Sequence, residues 1–269
     1  MSLFLNSLFA SIALGHFMVD VFNSSRPVLL TFLGLGETQI ALISTIYIWA
    51  SALSQPFFGW LSDRIGPRWL ASGGVLWMTV FYALAVFLPG NTGLICLIIA
   101  ALGSAAYHPV GTVQATLQGR EKLKGREATA ASLFFTSGQV GHFIGPILTG
   151  LILAKMGAPG LVSLSVISIP VGLALARQLS ANHPHPLPVT ASRSGTLRWG
   201  VGAILALTAV ATLQSWAQSN ILNFAPKYLK DMGQSAAVYG NMAGLFMGGS
   251  ALGNFIGGHL GDRYHKKFV

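Results

Sequence analysis

The first long apolar stretch of the chain carries an imidazole and a carboxylate one helical turn apart. His16 and Asp20 are four positions apart, so on a helix they share one face and can interact. Each group shifts the pKa of the other, so the pair can exchange a proton near neutral pH. Asp20 is also the only acid inside any predicted membrane span. We predict that Asp20 carries a proton and that His16 tunes it; a polar pair that only fastens the helix to its neighbours is the alternative.

Further polar side chains lie in later apolar stretches, where ionisable groups are costly and are candidates for function. His108 precedes Pro109 near the end of the fourth stretch, and a proline kink can expose polar groups to a cavity. His142 follows Gln139 by three positions in the fifth stretch. The candidate lining of a substrate cavity is His108, Tyr107, His142 and Gln139. For both histidines, a role in kinking or packing helices without any chemistry is the alternative.

The composition indicates an integral membrane protein. The chain is 52% hydrophobic and 9% charged, with a mean hydropathy of +0.62, whereas a soluble domain carries about 25% charged residues. The net charge of +9 would suit nucleic acid, but the cations lie in short loops rather than on one face, so no nucleic-acid partner is expected. The single cysteine, Cys96, excludes an intrachain disulfide and Cys-based metal sites. No cofactor and no metal is predicted.

Eight apolar stretches are long enough to be membrane-spanning helices, and the alternating pattern of a membrane barrel is absent. They cover residues 3–22, 38–61, 69–88, 93–113, 128–154, 158–178, 198–223 and 235–260. The segment 179–197 is rich in Pro, Ser and His and is typical of a flexible linker. We therefore predict a six-helix bundle over 1–178, a cytoplasmic linker over 179–197, and the start of a second bundle over 198–269.

A charged motif occurs twice. Gly59-Trp-Leu-Ser-Asp-Arg-Ile-Gly-Pro-Arg68 separates the second and third stretches, and Gly258-His-Leu-Gly-Asp-Arg-Tyr-His-Lys-Lys267 lies at the end of the chain. The residues proposed to act in conformational gating are Gly59, Asp63, Arg64, Arg68, Gly258, Asp262 and Arg263. Such a repeat indicates two similar halves. The second half stops early, so we expect four further helices, twelve in all; a true eight-helix protein is the alternative.

Small residues form smooth faces on two of the predicted helices. The fifth stretch contains Gly141, Gly145 and Pro146, and the eighth repeats glycine at steps of four with one skip. A GxxxG pair lets another backbone approach closely, although alone it is weak evidence. Smooth faces on these two helices would suit rocking of one half against the other; ordinary tight packing is the alternative.

The lysines and arginines indicate the orientation. With the N-terminus in the cytoplasm, four of the 16 cations fall on the external side, namely Arg26, Lys155, Lys227 and Lys230. The others fall in cytoplasmic loops and none at mid-membrane, as the positive-inside rule expects.

These stretches resemble a known family. Both charged motifs resemble a loop motif of the major facilitator superfamily, although the second copy has His265 where the first has Gly66. Gly145-Pro146 resembles the antiporter motif in the fifth helix of drug exporters of that superfamily. The stretches 15–20, 106–109 and 132–138 are similar to those of the fosmidomycin resistance family. The resemblance implies twelve helices in two six-helix bundles and export of a toxic small molecule in exchange for protons. It also implies a central cavity lined by His16, Asp20 and His108.

We therefore predict a proton-coupled secondary transporter, an exporter of the bacterial-type inner membrane. Its expected partners are a small-molecule substrate, protons and the lipid bilayer, and it is expected to be a monomer and not an enzyme. An intramembrane enzyme is disfavoured because the histidines lie on three helices without the paired spacing of a zinc protease. An uptake symporter on the same fold, an inactive fragment and a non-transporting membrane protein remain as alternatives.

Overall fold

The computed structural model describes residues 6–122, 126–179 and 200–263. Within these ranges the chain forms eight α-helices and a short 3-10 helix, with no β-strand, which confirms the predicted all-α fold. The helices are α1 (Ser7–Phe32), α2 (Glu37–Ile65), α3 (Pro67–Phe87), α4 (Gly90–Lys122), α5 (Glu127–Met156), α6 (Val162–Gln178), α7 (Val201–Asp231) and α8 (Ala236–Arg263), with the 3-10 helix at Ala158–Leu161.

Local sequence signals set where the helices begin and end. The Asn6 side chain caps α1 by accepting a hydrogen bond from the Phe9 amide at 3.0 Å. Gly66 alone joins α2 to α3, with a φ of 90° that favours glycine, and Pro67 then occupies the first turn of α3. Because the connections are this short, consecutive helices run back and forth through the bundle.

The two ends of the bundle need names. We call the end that holds the connections after α1, α3, α5 and α7 the α1–α2 end, and the opposite end the α2–α3 end. Polar groups concentrate around α1, which packs against α4, α5 and α6 and contacts α7. α8 packs along α5, and α7 packs on α8. Only Asn223 and Pro226 of α7 are buried, so this helix is anchored near the α1–α2 end.

Six of these helices, α2 to α7, are long and apolar enough to cross a membrane, counting α6 together with the 3-10 helix and searching only the described residues. α1 and α8 are not among them, although 26 and 28 residues are ample for a span. α1 contains several polar side chains, and they point into the bundle. The eight predicted helices are thus all present, but hydropathy alone supports six of them as spans.

Three helices run well beyond the predicted spans. α1 ends at Phe32 instead of residue 22, α4 at Lys122 instead of 113, and α7 at Asp231 instead of 223. In each case the apolar stretch ends at polar residues, but the helix continues. In α1 the polar side chains beyond residue 22 find partners inside the bundle.

The positions predicted for three of the external cations were wrong. Arg26 was expected in a loop, but it lies inside α1 and is 4% exposed. Lys227 and Lys230 lie in the last turns of α7 instead of a 224–233 loop, and the connection after α7 spans only residues 232–235. The predicted linker 179–197 lies outside the described residues except for Leu179.

Candidate functional site

The centre of the site is the carboxylate of Asp20 on α1. Asp20 is the only buried carboxylate among the described residues, at 4% exposure, and His16 beside it is also buried. His16 Nε2 lies 3.2 Å from Asp20 Oδ2. The structure therefore places the two residues in contact on one helix face, as their spacing predicts.

Two more helices bring imidazoles to the same carboxylate. His108 of α4 places Nε2 3.6 Å from Asp20 Oδ1, and His142 of α5 places Nε2 3.5 Å from Asp20 Oδ2. The side chains of both histidines are about one quarter exposed, at 24% and 27%. The cluster of Asp20 with these three histidines, called the Asp20 cluster below, is thus buried on the α1 side and accessible on the α4 and α5 side.

Backbone carbonyls fix the tautomer of two of the imidazoles. His16 Nδ1 lies 2.8 Å from the Phe134 carbonyl oxygen, and His108 Nδ1 lies 2.8 Å from the Ser104 carbonyl oxygen. A carbonyl only accepts, so each Nδ1 must carry hydrogen. Each Nε2 therefore faces the Asp20 carboxylate either with a lone pair or with a second proton. Because a lone pair facing a carboxylate oxygen is repulsive, these contacts are favourable only when protons are shared between the acid and the imidazoles.

A second layer of polar groups holds the Asp20 carboxylate in place. The Asn23 amide donates to Asp20 Oδ1 at 3.0 Å and to the Ser104 hydroxyl at 3.1 Å. The Tyr47 hydroxyl of α2 donates to Asn23 Oδ1 at 2.7 Å. The sequence reasoning missed Asn23, Tyr47 and Ser104. The three-residue spacing of Asn23 from Asp20 was an available signal, since such positions are neighbours on a helix.

Glycines on α5 allow this helix to pack closely against α1 at the Asp20 cluster. A Cβ on Gly138 would lie 2.5 Å from Asp20 Oδ2 and 2.6 Å from His16 Cε1. A Cβ on Gly141 would lie 2.5 Å from the Phe17 carbonyl oxygen, and one on Gly145 would lie 2.7 Å from that of Val21. The GxxxG pair therefore packs against α1 within the first six helices, and its face is not the one that meets α8.

The remaining residues predicted to line a cavity are separated by the fold. Tyr107 is fully buried, and its hydroxyl donates to the Ile12 carbonyl oxygen of α1. Gln139 lines a cavity of about 590 Å³ between α5 and α8, together with Thr136, Phe143 and Leu245. Of the four predicted residues, the structure thus brings His108 and His142 to Asp20, Gln139 to the cavity, and Tyr107 to the α1–α4 packing.

α5 and α8 meet through small residues toward the α1–α2 end. Gly150 and Gly240 face each other so closely that a Cβ on Gly240 would lie 2.7 Å from the Gly150 Cα and 2.6 Å from the Pro146 carbonyl oxygen. Further along α8, Gly248 meets the Phe143 ring, whereas Gly249 and Gly253 have no atom within 4 Å of such a Cβ. A cavity between the two helices lies toward the α2–α3 end, lined by Thr136 and Gln139 of α5 and by Leu252 of α8.

The α1–α2 end is closed by polar contacts. Asn223 of α7 accepts hydrogen bonds from the Ser44 hydroxyl at 2.8 Å and from Arg26 Nη2 at 3.5 Å. The Arg26 guanidinium also lies over the Tyr47 ring, 4.5 Å from its centroid. Lys230 Nζ donates to the carbonyl oxygens of Thr31 at 2.7 Å and Phe32 at 3.1 Å, at the end of α1. These contacts join α7 to α1 and α2.

The first charged motif lies at the α2–α3 end. Gly59, Asp63 and Arg64 belong to the last turns of α2, and Arg68 to the first turn of α3. Gly59 and Asp63 line a small cavity against Pro109 of α4. Asp63 and Arg64 form no ion pair with any described residue; the Arg64 guanidinium stacks over the Trp60 ring at 4.1 Å.

The second charged motif extends to the end of α8. Gly258, Asp262 and Arg263 all belong to this helix, and their side chains lie outside the described part of the structure. The gating role of both motifs stays a prediction.

The Asp20 cluster also has the residue types of a metal site, which the sequence did not predict. His16, Asp20 and His108 each offer one possible ligand atom, and these three atoms lie within 4.8 Å of one another. No cysteine takes part, since Cys96 is buried elsewhere in α4.

Comparison with known proteins defines the family. The Major Facilitator Superfamily family model matches residues 8–267. The chain is 29% identical over 257 residues to the MFS-type transporter YfnC of Bacillus subtilis, which covers 90% of this chain and 61% of YfnC. It is 26% identical over 283 residues to the fosmidomycin resistance protein of Escherichia coli, and this alignment covers 97% of this chain and 66% of the relative. The chain therefore spans two thirds or less of the length of these relatives.

A solved structure shows the same fold. The chain superposes with a TM-score of 0.79 on a bacterial homologue of the human lysosomal transporter Spinster, at 15% identity, covering all of this chain and 63% of that one. The family-model match establishes that the chain belongs to the Major Facilitator Superfamily, a family of membrane transporters.

Proposed function

We propose that the complete protein is a secondary active transporter that exports a small molecule in exchange for protons across a bacterial-type inner membrane. The observation that carries this proposal is the Asp20 cluster, in which one buried carboxylate faces the Nε2 atoms of three histidines. The drug-resistance name of the Escherichia coli relative supports export of a toxic compound as the direction.

The cluster is chemically suited to bind and release protons. His16 and His108 each keep one hydrogen on Nδ1, directed at a carbonyl, so their Nε2 atoms face the Asp20 carboxylate that we propose carries the proton. Protons bound at this carboxylate remove a charge that is costly inside a membrane. A cationic or hydrogen-bonding group of a substrate could replace those protons at the same carboxylate, and competition of this kind is what exchange requires.

The geometry of the two ends supports alternating access. The buried residues of α7 lie near the α1–α2 end, and the cavity between α5 and α8 lies toward the α2–α3 end. With the N-terminus in the cytoplasm, the open end faces the cytoplasm, which corresponds to an inward-facing state. Lys227 and Lys230 then lie at the external end. A thiol reagent that labels a Gln234→Cys variant from outside intact cells would support this orientation. Labelling only after permeabilisation would reverse it.

The test of proton exchange is Asp20→Asn in the complete gene product, reconstituted in proteoliposomes. Asn keeps the shape of Asp but cannot carry the charge. We expect uphill, pH-driven transport to be abolished, while substrate binding and passive exchange persist. The measurement is substrate flux with and without an imposed pH gradient.

Two histidine variants separate the roles within the cluster. His16→Gln should shift the pH optimum while coupling remains, because His16 tunes Asp20. His108→Gln should weaken substrate affinity with coupling retained, because His108 is on the accessible side. If Asp20→Asn concentrates substrate as well as the wild type does, Asp20 is structural and the proposal is wrong. Accumulation in the opposite direction, with the pH gradient driving uptake, would instead identify a symporter.

A further inference from the structure

We propose that His16, Asp20 and His108 form a binding site for a divalent first-row transition metal ion. His142 contacts the same carboxylate but does not belong to this group of three, whose ligand atoms lie within 4.8 Å of one another. This inference rests on the geometry of the cluster and not on the direction or substrate of transport, so it can hold if the proposed function fails.

The donor atoms are those such an ion prefers. Imidazole nitrogens with one carboxylate suit Zn²⁺, Fe²⁺, Co²⁺ and Ni²⁺, whereas Mg²⁺ and Ca²⁺ prefer oxygen ligands. All three histidines direct Nε2 at the Asp20 carboxylate, His16 and His142 at Oδ2 and His108 at Oδ1, so donors from α1, α4 and α5 meet at one carboxylate. Convergence from three helices is how metal sites are built inside helix bundles.

The spacing of the donors fits a metal ion. With metal–ligand distances of about 2.0–2.1 Å, the edge of a tetrahedral site is about 3.4 Å. The three imidazole nitrogens lie 3.2, 3.6 and 3.5 Å from the nearer Asp20 oxygen. The ligand atoms of His16, Asp20 and His108 lie within 4.8 Å of one another.

The surroundings of the ligands resemble those of established metal sites. A metal-bound histidine usually donates its other ring N–H to a carbonyl or carboxylate, and a bound carboxylate is itself hydrogen-bonded. His16 and His108 direct Nδ1 at the carbonyl oxygens of Phe134 and Ser104, and Asn23 donates to Asp20. The two histidines are therefore already oriented with Nε2 available to a metal. His142 Nδ1 is buried and has no hydrogen-bond partner among the described residues, so this ring is the least constrained of the three.

The ligands all belong to the first six helices, so a bound ion would link α1 to α4 without bridging to α7 or α8. It would also compensate the buried charge of Asp20, the role that the proposed function gives to protons.

The test is titration of the purified, untagged protein in detergent with Co²⁺ and then Zn²⁺. We expect one Co²⁺ per chain with the visible absorption of a tetrahedral nitrogen–oxygen site, and its displacement by Zn²⁺. Asp20→Asn and His108→Gln should each weaken binding by about 10–100-fold or more, because loss of even an outer partner of a metal ligand has that effect.

The sequence offers a matched control for adventitious binding. His183→Gln with His185→Gln removes two histidines outside the described residues and should leave binding unchanged. Binding that survives Asp20→Asn but is lost in this control would show an adventitious ion only, and would overturn the proposal, as would no binding by the wild type. If the cluster variants do not fold, X-ray absorption of the Zn²⁺-loaded wild type decides: two or three imidazoles support the site, and fewer than two overturn it.

Discussion

Asp20 and Arg26 are two buried charges on the same helix, and the protein surrounds them in different ways. Asp20 is enclosed by α1, α4 and α5 and is supplied with three imidazoles and an amide. Arg26 forms no ion pair with a described carboxylate; its contacts are the Tyr47 ring and Asn223 of α7, and its Nε has no hydrogen-bond partner among the described residues. The environment of Asp20 is therefore complete within the first six helices, whereas that of Arg26 depends on α7.

The Asp20 cluster is therefore suited to be a binding site, whereas the contact between Arg26 and α7 is one that can open. In the proposed transport cycle, a site that keeps its partners when α7 moves would bind and release protons through the same side chains in each state. A cation whose side-chain partner lies on α7 is exposed when α7 moves away, so its hydration favours the open state. Tyr47 connects the two regions, because its ring lies under Arg26 and its hydroxyl donates to Asn23.

The largest effect should come from replacing the buried charge of Asp20 by an apolar residue, with the same replacement at Arg26 as the contrast. Asp20→Leu leaves the His16 and His108 Nε2 atoms and the Asn23 amide without their partner. We expect it to cost about 3–5 kcal/mol, as does removal of one partner from a buried ionic cluster. Arg26→Met leaves no buried acid without a partner, so its effect on the free energy of unfolding should be neutral or stabilising. Thermal unfolding in detergent measures both, and equal destabilisation by the two variants would contradict the comparison.

A smaller effect is expected from Gly138→Ala on α5. The added Cβ would lie 2.5 Å from Asp20 Oδ2, and such overpacking costs typically about 1–3 kcal/mol. Gly249→Ala is the matched control, because that position of α8 has open space around it. Thermal unfolding should separate the two variants, and the Gly138 variant should also lose affinity for Co²⁺. If both variants unfold at the same temperature as the wild type and bind Co²⁺ equally well, α5 does not pack closely on the Asp20 cluster.

The smallest of the three effects should come from Asn223→Ala, which weakens the contact around Arg26. Loss of a hydrogen-bond acceptor typically costs about 0.5–1.5 kcal/mol and should favour separation of α7 from α1. Spin labels at Leu33 and Met232, in a Cys96→Ala background, should show a longer mean distance by electron spin resonance.

The matched control for that experiment is Asn220→Ala, because among the described residues the Asn220 amide donates to the Trp216 carbonyl of its own helix and to no other group. It should leave the distance unchanged. A distance that is the same in the wild type and both variants would mean that Asn223 does not hold this end closed.

The sequence predicts what depends on neighbours along the chain. The spacing of His16 and Asp20 places them on one helix face, and the apolar stretches locate all eight helices. It does not predict that His142 joins them, because that depends on how closely α5 approaches α1. The glycines at 138, 141 and 145 permit this approach, but the sequence does not show that they face α1. The smooth face of α5 suggested contact between the two halves instead.

Arg26 and Tyr107 show why the rest could not be predicted. Hydropathy places an arginine at the end of a span, but stacking on Tyr47 and a contact with Asn223 allow Arg26 to be buried within α1. Tyr107 adjoins His108 in sequence, yet neighbouring residues on a helix point about 100° apart. One residue therefore faces the Asp20 cluster and the other the carbonyl of Ile12.

The contact of Lys230 with the end of α1 has one further consequence. The last carbonyls of a helix have no partner within it, and here an ammonium group from another helix binds two of them. Departure of α7 uncaps α1, so its final turn should fray whenever this end opens. Deuterium uptake by the amides of residues 31–34 should then rise with the open population, providing a label-free reporter of opening at that end.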